Sequence, residues 1–248
     1  SKNCDFWVMA DLAIMMSGHV SVPIYPTLKD DSVKPIVEHS ESALVFAGKL
    51  DDFDGQKEAF TSIRIVGSDK YGTPGELSWE QIQEQNEALT QLEPADPEEL
   101  ISIIYTSGTT GMPKGVMHSI RNFANATYNL NYDIHLVKHP RFFSYLPLSH
   151  IAERIGIENQ AFLLGASMTF ADTLDSFASD LDATQPDLFF AVPRIWAKFQ
   201  EKIREGLPQK KLNVLLKVPL LGKVLKNKIR QKLGLSKAKY IVSGAAPL

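Results

Sequence analysis

Short β-rich runs alternate with helical patterns along nearly the whole chain. The residue patterns predict strands at 20–25, 43–47, 62–66, 101–105, 142–146, 167–170, 188–191 and 240–242. Between them they predict helices at 5–17, 32–39, 78–89, 120–132, 151–164, 174–183, 195–205 and a basic one within 214–233. Such alternation predicts an α/β fold whose sheets are mixed but mostly parallel and flanked by helices. With 248 residues there is room for one large or two ordinary domains. The stretch 93–99 holds two prolines and four acids, the composition of an exposed seam, and 206–208 suggests a second break. The chain opens on a helical pattern and stops just after a strand pattern, so a fragment of a longer protein is expected.

Composition narrows the function classes. No apolar run reaches the roughly 18 residues of a membrane span. One cysteine, Cys4, excludes an internal disulfide and a thiolate metal cluster and fits a reducing, cytoplasmic setting. The net charge of −3 is unevenly spread: 198–239 carries thirteen Lys or Arg against two acids. Within 210–239 the basic residues interleave with Leu, Val and Ile, and two readings stay open. One is an amphipathic helix docked on the core with lysines reaching to water. The other is a face resting peripherally on an anionic membrane. Nucleic acid is not expected as a partner, since the stretch lacks stacking aromatics.

The most informative segment is Tyr105-Thr106-Ser107-Gly108-Thr109-Thr110-Gly111-Met112-Pro113-Lys114-Gly115. It follows an apolar strand pattern, and ligands of open α/β sheets gather at strand carboxyl ends. Gly108, Gly111 and Gly115 permit positive φ, so that backbone N–H groups can converge on an anion. Thr106, Ser107, Thr109 and Thr110 add hydroxyl donors, and Lys114 adds a mobile positive charge. Together they form a cradle for a polyphosphate. A Walker A loop is excluded by spacing, because Pro113-Lys114-Gly115 stands where that pattern needs Gly-Lys-Ser/Thr.

These residues resemble the phosphate-loop signature of the AMP-forming adenylating enzymes, which include acyl-CoA synthetases, peptide-synthetase adenylation domains and firefly luciferase. The resemblance implies that Thr106, Ser107, Gly108, Thr109, Thr110, Gly111 and Lys114 hold the ATP phosphates, with Thr109 and Lys114 acting in catalysis. One departure is that Ile120 stands where long-chain members often carry histidine, so no histidine role transfers there. The run 146–154, Leu-Pro-Leu-Ser-His-Ile-Ala-Glu-Arg, is similar to a second family motif in its long-chain fatty acyl form. It implies that His150 borders the reacting groups, after Ser149 as helix N-cap, and that Glu153 and Arg154 brace it by charge pairing. A solvated Glu-Arg face is the plainer alternative.

Val192-Pro193-Arg194-Ile195-Trp196 resembles the gating segment of long-chain acyl-CoA synthetases, with Trp196 as gate to an acyl tunnel. Residues 243–248, Ser-Gly-Ala-Ala-Pro-Leu, resemble the family's adenine-contacting turn and make Gly244, Ala245, Ala246 and Pro247 nucleotide-binding candidates. Residues 11–26 resemble an early core region of the family and are assigned packing. The implied fold is part of the large N-terminal domain of an acyl-CoA synthetase, with the small C-terminal domain absent. The implied activity joins a long-chain fatty acid to coenzyme A through an acyl-adenylate at the expense of Mg2+-ATP, with no resident metal site. The fragment itself is expected to be inactive, since further motifs of the family would follow Leu248. Two alternatives remain: a ligase for another carboxylic acid, and a non-catalytic lipid-binding module of the same fold.

Overall fold

The computed structural model describes residues 1–91, 94–106 and 113–244 of the chain. The chain divides into two compact units, Ser1–Tyr128 with Leu146–Ile155, and Asn129–Tyr145 with Gly156–Leu248. The 93–99 segment lies inside the first unit's span.

The first unit opens with α1 (Asp5–Met16) and α2 (Asp30–His39). A parallel sheet of β1 (Leu44–Phe46), β2 (Arg64–Gly67) and β3 (Leu77–Ser78) follows, the last leading into α3 (Trp79–Gln85). Val33, Ile36 and Val37 recur at helical spacing on α2 and are buried. Val33 and Val37 pack with Ala59 and Phe60 against Val45 and Ile65 of the sheet. Asp30 and Asp31 sit in the first turn of α2, where the exposed N–H groups favour negative charge. A second, antiparallel pair joins β4 (Leu100–Thr106) to β5 (Lys114–Ser119), which runs directly into α4 (Ile120–Asp133).

The second unit is built on four parallel strands: β6 (Arg141–Ser144), β7 (Ser167–Phe170), β8 (Leu188–Ala191) and β9 (Tyr240–Ser243), in the order β7-β6-β8-β9. Both faces are covered. Phe142 and Leu188 enter one cluster with Ile157 and Ala161, while Phe143 and Phe189 enter another with Leu181 and Leu235. Consecutive apolar side chains pointing to opposite buried faces are the pattern a parallel sheet demands. Its helices include α6 (Asn159–Leu164), α7 (Phe177–Thr184), α8 (Pro193–Gly206), α9 (Gln209–Lys217) and α10 (Pro219–Lys232). Gly234, in a left-handed conformation, turns the chain from α10 toward β9; a Cβ there would meet the Asp182 backbone nitrogen at 2.7 Å.

Several boundaries differ from the sequence expectation. The predicted strand at 20–25 is reduced to one parallel bridge between Ser21 and Ser102. The strand β5 was not foreseen, because its buried and exposed positions do not alternate. The helix expected at 151–164 is three pieces: α5 (Ile151–Glu153), a π-helical turn at Arg154–Glu158, and α6. The single basic helix is two, since Pro219 cannot continue α9 and restarts the chain as α10.

Asp187 pins the start of β8 to β6. Its carboxylate accepts from the Arg141 backbone N–H at 2.8 Å and from the guanidinium at two distances of 3.2 Å. Burial alone would raise this carboxyl, but the Arg141 guanidinium and backbone N–H outweigh it and hold it below the ordinary 3.8. Asp187→Ala should therefore lower unfolding free energy by about 1–2 kcal/mol in urea titrations near pH 7. The stabilisation is present above the unfolded value and is lost as pH falls through the lower folded one. The gap between variant and parent should accordingly narrow in acid.

Candidate functional site

The candidate residues fall into two groups, one in each unit. In the first, β4 and β5 form a hairpin whose connection is the hydroxyl- and glycine-rich run. Ser107, Gly108, Thr109, Thr110 and Gly111 lie outside the described residues, as do Ala245, Ala246 and Pro247. The base of the loop is described. Thr106 pairs with Lys114 and Tyr105 with Gly115, and the Thr106 hydroxyl donates to the Lys114 carbonyl at 3.4 Å. Lys114 is exposed. The loop thus closes an antiparallel hairpin.

Gly115 corrects one expectation. It lies in extended β5 and has no positive φ. A Cβ there would stand 2.7 Å from Ile103 Cγ2 and 3.2 Å from Tyr105 Cζ, so glycine serves close packing under the Tyr105 ring. That ring is buried, and its hydroxyl shares a 2.7 Å hydrogen bond with His39 Nδ1.

The segment carrying His150 is clamped from the chain's start. Asn3 Nδ2 donates to the Leu146 carbonyl at 2.6 Å, and the Leu148 N–H donates to Asn3 Oδ1 at 3.0 Å. His150, not Ser149, is the N-cap of α5: its Nδ1 accepts from the Ala152 N–H at 3.1 Å. Ser149 is instead buried. The expected cap is displaced because an imidazole with an acceptor nitrogen can do what a hydroxyl does at a helix start. With Nδ1 accepting, a neutral His150 carries its proton on Nε2, and the ring is exposed.

Glu153 and Arg154 are fully buried, so the solvated-face alternative does not hold. Arg154 forms an ion pair with Asp11 of α1 and donates from Nη1 to the Ser102 hydroxyl of β4 at 2.6 Å. Ser102 donates to the Ser21 carbonyl at 3.0 Å, and the Ser21 hydroxyl donates to Asp11, closing a ring. The guanidinium also lies 5.6 Å from the Trp7 ring centroid and 5.0 Å from that of Phe123. Burial pushes the Asp11 carboxyl up, opposed by the Arg154 charge and two hydrogen bonds. Burial and the same Arg154 charge hold the neighbouring His118 imidazole below its ordinary value. Arg154 therefore ties the His150 segment to the strand that delivers the loop. Sequence reasoning missed Asn3, Ser21, Ser102 and the pairing role of Asp11, since nothing local marks a residue whose partner is 143 positions away.

The second group lines the carboxyl edge of the four-stranded sheet. The order β7-β6-β8-β9 reverses direction at β6 and β8, the topological switch point where such sheets open a crevice. Val192 and Trp196 follow β8 there. The Trp196 indole N–H donates to the Ala191 carbonyl at 3.0 Å, and its ring meets Phe189 and Phe199 edge-on at 5.5 and 5.7 Å. Gly244 follows β9 on the adjacent strand; a Cβ on it would approach the Phe190 ring at 3.1 Å. Among the described residues, no cluster of His, Cys, Asp and Glu is arranged to hold a metal ion.

With this geometry in place, comparison with known proteins is decisive about ancestry: the family model described as "AMP-binding enzyme" matches residues 1–248. The chain belongs to the AMP-binding enzyme family. It is 28% identical to fatty acyl-CoA synthetase A of Dictyostelium discoideum over its full length, covering 42% of that protein. It is 30% identical to long chain acyl-CoA synthetase 2 of Arabidopsis thaliana, covering 43% of it. The chain thus spans about two-fifths of the length of these relatives. Among solved structures, a carboxylic acid reductase didomain from Segniliparus rugosus in complex with AMP aligns over 100% of the chain and 38% of its own, with TM-score 0.77 and 22% identity. The inhibitor-bound N-terminal domain of FACL13 from Mycobacterium tuberculosis aligns over 100% and 56%, with TM-score 0.73 and 21% identity. These likenesses establish the α/β fold.

Removing one member of the Arg154–Asp11 pair strands a buried charge. Arg154→Met should cost about 3–5 kcal/mol in urea titrations, whereas Asp11→Leu combined with Arg154→Met should cost clearly less than the two single losses added. Additive losses would show that the two side chains do not act as a pair.

Proposed function

We propose that this AMP-binding enzyme chain is the nucleotide-gripping part of a ligase that activates a long-chain fatty acid and passes it to coenzyme A. The observation that carries the reading is the Thr/Ser/Gly/Lys loop seated on a β4–β5 hairpin, in a chain matched throughout by the family model. Fatty-acid substrates are supported by the relatives' names and by the 146–154 and 192–196 strings.

In the first step a carboxylate oxygen attacks the α-phosphorus of Mg2+-ATP, the bond to the bridging oxygen breaks, and pyrophosphate leaves. In the second the coenzyme A thiol attacks the acyl carbonyl and AMP departs. Thr106, Ser107, Gly108, Thr109, Thr110, Gly111 and Lys114 hold the β- and γ-phosphates, and Lys114 with Thr109 offsets charge as pyrophosphate forms. His150 donates from Nε2 toward the reacting carboxylate and phosphate, its ring held by the cap bond. Arg154 positions both groups without touching substrate. Gly244, Ala245, Ala246 and Pro247 give a flat purine room to approach the backbone, and Trp196 gates the acyl path. For Trp196 to swing, one hydrogen bond and two edge contacts must break.

The test is ATP–pyrophosphate exchange by the full-length protein with carboxylic acids of graded length. Exchange should peak with long-chain acids; a peak with aryl or amino acids would replace the substrate, and no exchange with any acid would favour a non-catalytic lipid-binding module. Lys114→Ala should lower exchange by about 10²-fold. His150→Asn keeps a cap-competent side chain, so it should stay within about 0.5 kcal/mol of parent stability while losing roughly 10²-fold in rate. Unchanged rate in His150→Asn would leave His150 as a cap alone.

A further inference from the structure

We propose that the α9–α10 hairpin docks the protein on an anionic membrane surface, a role independent of the nucleotide site. Residues 209–232 contain seven lysines, one arginine and no acid, in a chain whose net charge is −3. Among the described residues, none of those seven lysines is in an ion pair. Arg230 is spent internally, donating to the carbonyls of Leu235 and Ala238.

The hairpin carries two apolar sets. The inner set, including Leu212, Leu216 and Ile229, is half-buried around Gly222, where a Cβ would stand 2.7 Å from the Leu216 carbonyl oxygen. Glycine therefore lets the α10 backbone come close to the backbone of α9. Val214, Val218, Leu220, Leu221 and Val224 lie outside the inner set and are exposed on α9, α10 and the corner between them, Leu220 by 81%. An ordinary docked amphipathic helix hides its aliphatics and leaves lysines wet; here five aliphatics are wet as well, with Lys217 and Lys223 among them. No helix among the described residues is long and apolar enough to cross a membrane.

Charge selects the occupant. A second copy would bring a like-charged hairpin against this one, and nucleic acid would satisfy the lysines but leave the corner's aliphatics in water, with no aromatic in 209–232 to stack. An anionic bilayer meets both needs: headgroups face the lysines while short aliphatics enter the acyl boundary.

Flotation of the full-length protein with phosphatidylcholine vesicles, alone or mixed with phosphatidylserine at roughly 7:3, tests this. Binding should require phosphatidylserine and weaken in roughly 0.5 M salt. Combining Lys217→Gln, Lys223→Gln, Lys226→Gln and Lys228→Gln should lower the partition coefficient at least about tenfold. Combining Leu220→Ser, Leu221→Ser and Val224→Ser should do the same with the charge unchanged, about tenfold. These side chains are exposed, so thermal unfolding should match the parent in both variants. Equal flotation with both vesicle types, or equal flotation of parent and both variants, overturns the proposal. So does a hairpin variant that changes the mass in solution but not flotation, which would make the face a contact between copies.

Discussion

A fully buried guanidinium organises the first unit. Taking Arg154 out of solvent costs several kcal/mol, and the structure tolerates it because Asp11, the Ser102 hydroxyl and two aromatic faces surround the charge. Each partner lies on a different element, so the pair fixes α1, β4 and the 150–154 segment against one another. Polar ties of this kind are directional where apolar packing is not. A sliding β4 would pull Ser102 from Arg154 and Ser21 together, and the loop at its end would move with it. The hydroxyl ring is how α1 contributes to the placement of β4.

The second unit reaches similar definition by apolar means. Phe142 and Phe143, adjacent in sequence, are buried on opposite faces of β6, and the Asp187 clamp sets the strand's register at its amino end. Trp196, in α8, and Gly244 come just after the carboxyl ends of the neighbouring strands β8 and β9. In open parallel α/β sheets in general, the carboxyl ends of the strands are where ligands gather.

Much of this was legible in the chain itself. Strands at 167–170 and 188–191 coincide with β7 and β8: the first alternates polar and apolar residues and the second is a continuous apolar run, both strand patterns. The phosphate-loop and His-x-x-Glu-Arg strings were recognisable because their chemistry is concentrated within a few consecutive residues. One part of what escaped depended on distant partners, as the Arg154–Asp11 pair does; the rest was local geometry. The capping role of His150 turned on which of two adjacent polar side chains faced the Ala152 N–H, and periodicity carries no information on that. Gly115 was expected to supply an unusual φ, but it supplies absence of a side chain beneath Tyr105. The break between α9 and α10 was written in Pro219, yet a continuous Leu/Lys rhythm masked it.

Amide hydrogen exchange in the full-length protein offers the most direct check that the β4–β5 connection grips triphosphate. Adding Mg2+-ATP should slow exchange across 106–115 well beyond any change in α2, and AMP, lacking the outer phosphates, should slow it much less. Identical exchange of 106–115 with and without saturating ATP, in a preparation that is turning over substrate, would contradict the account.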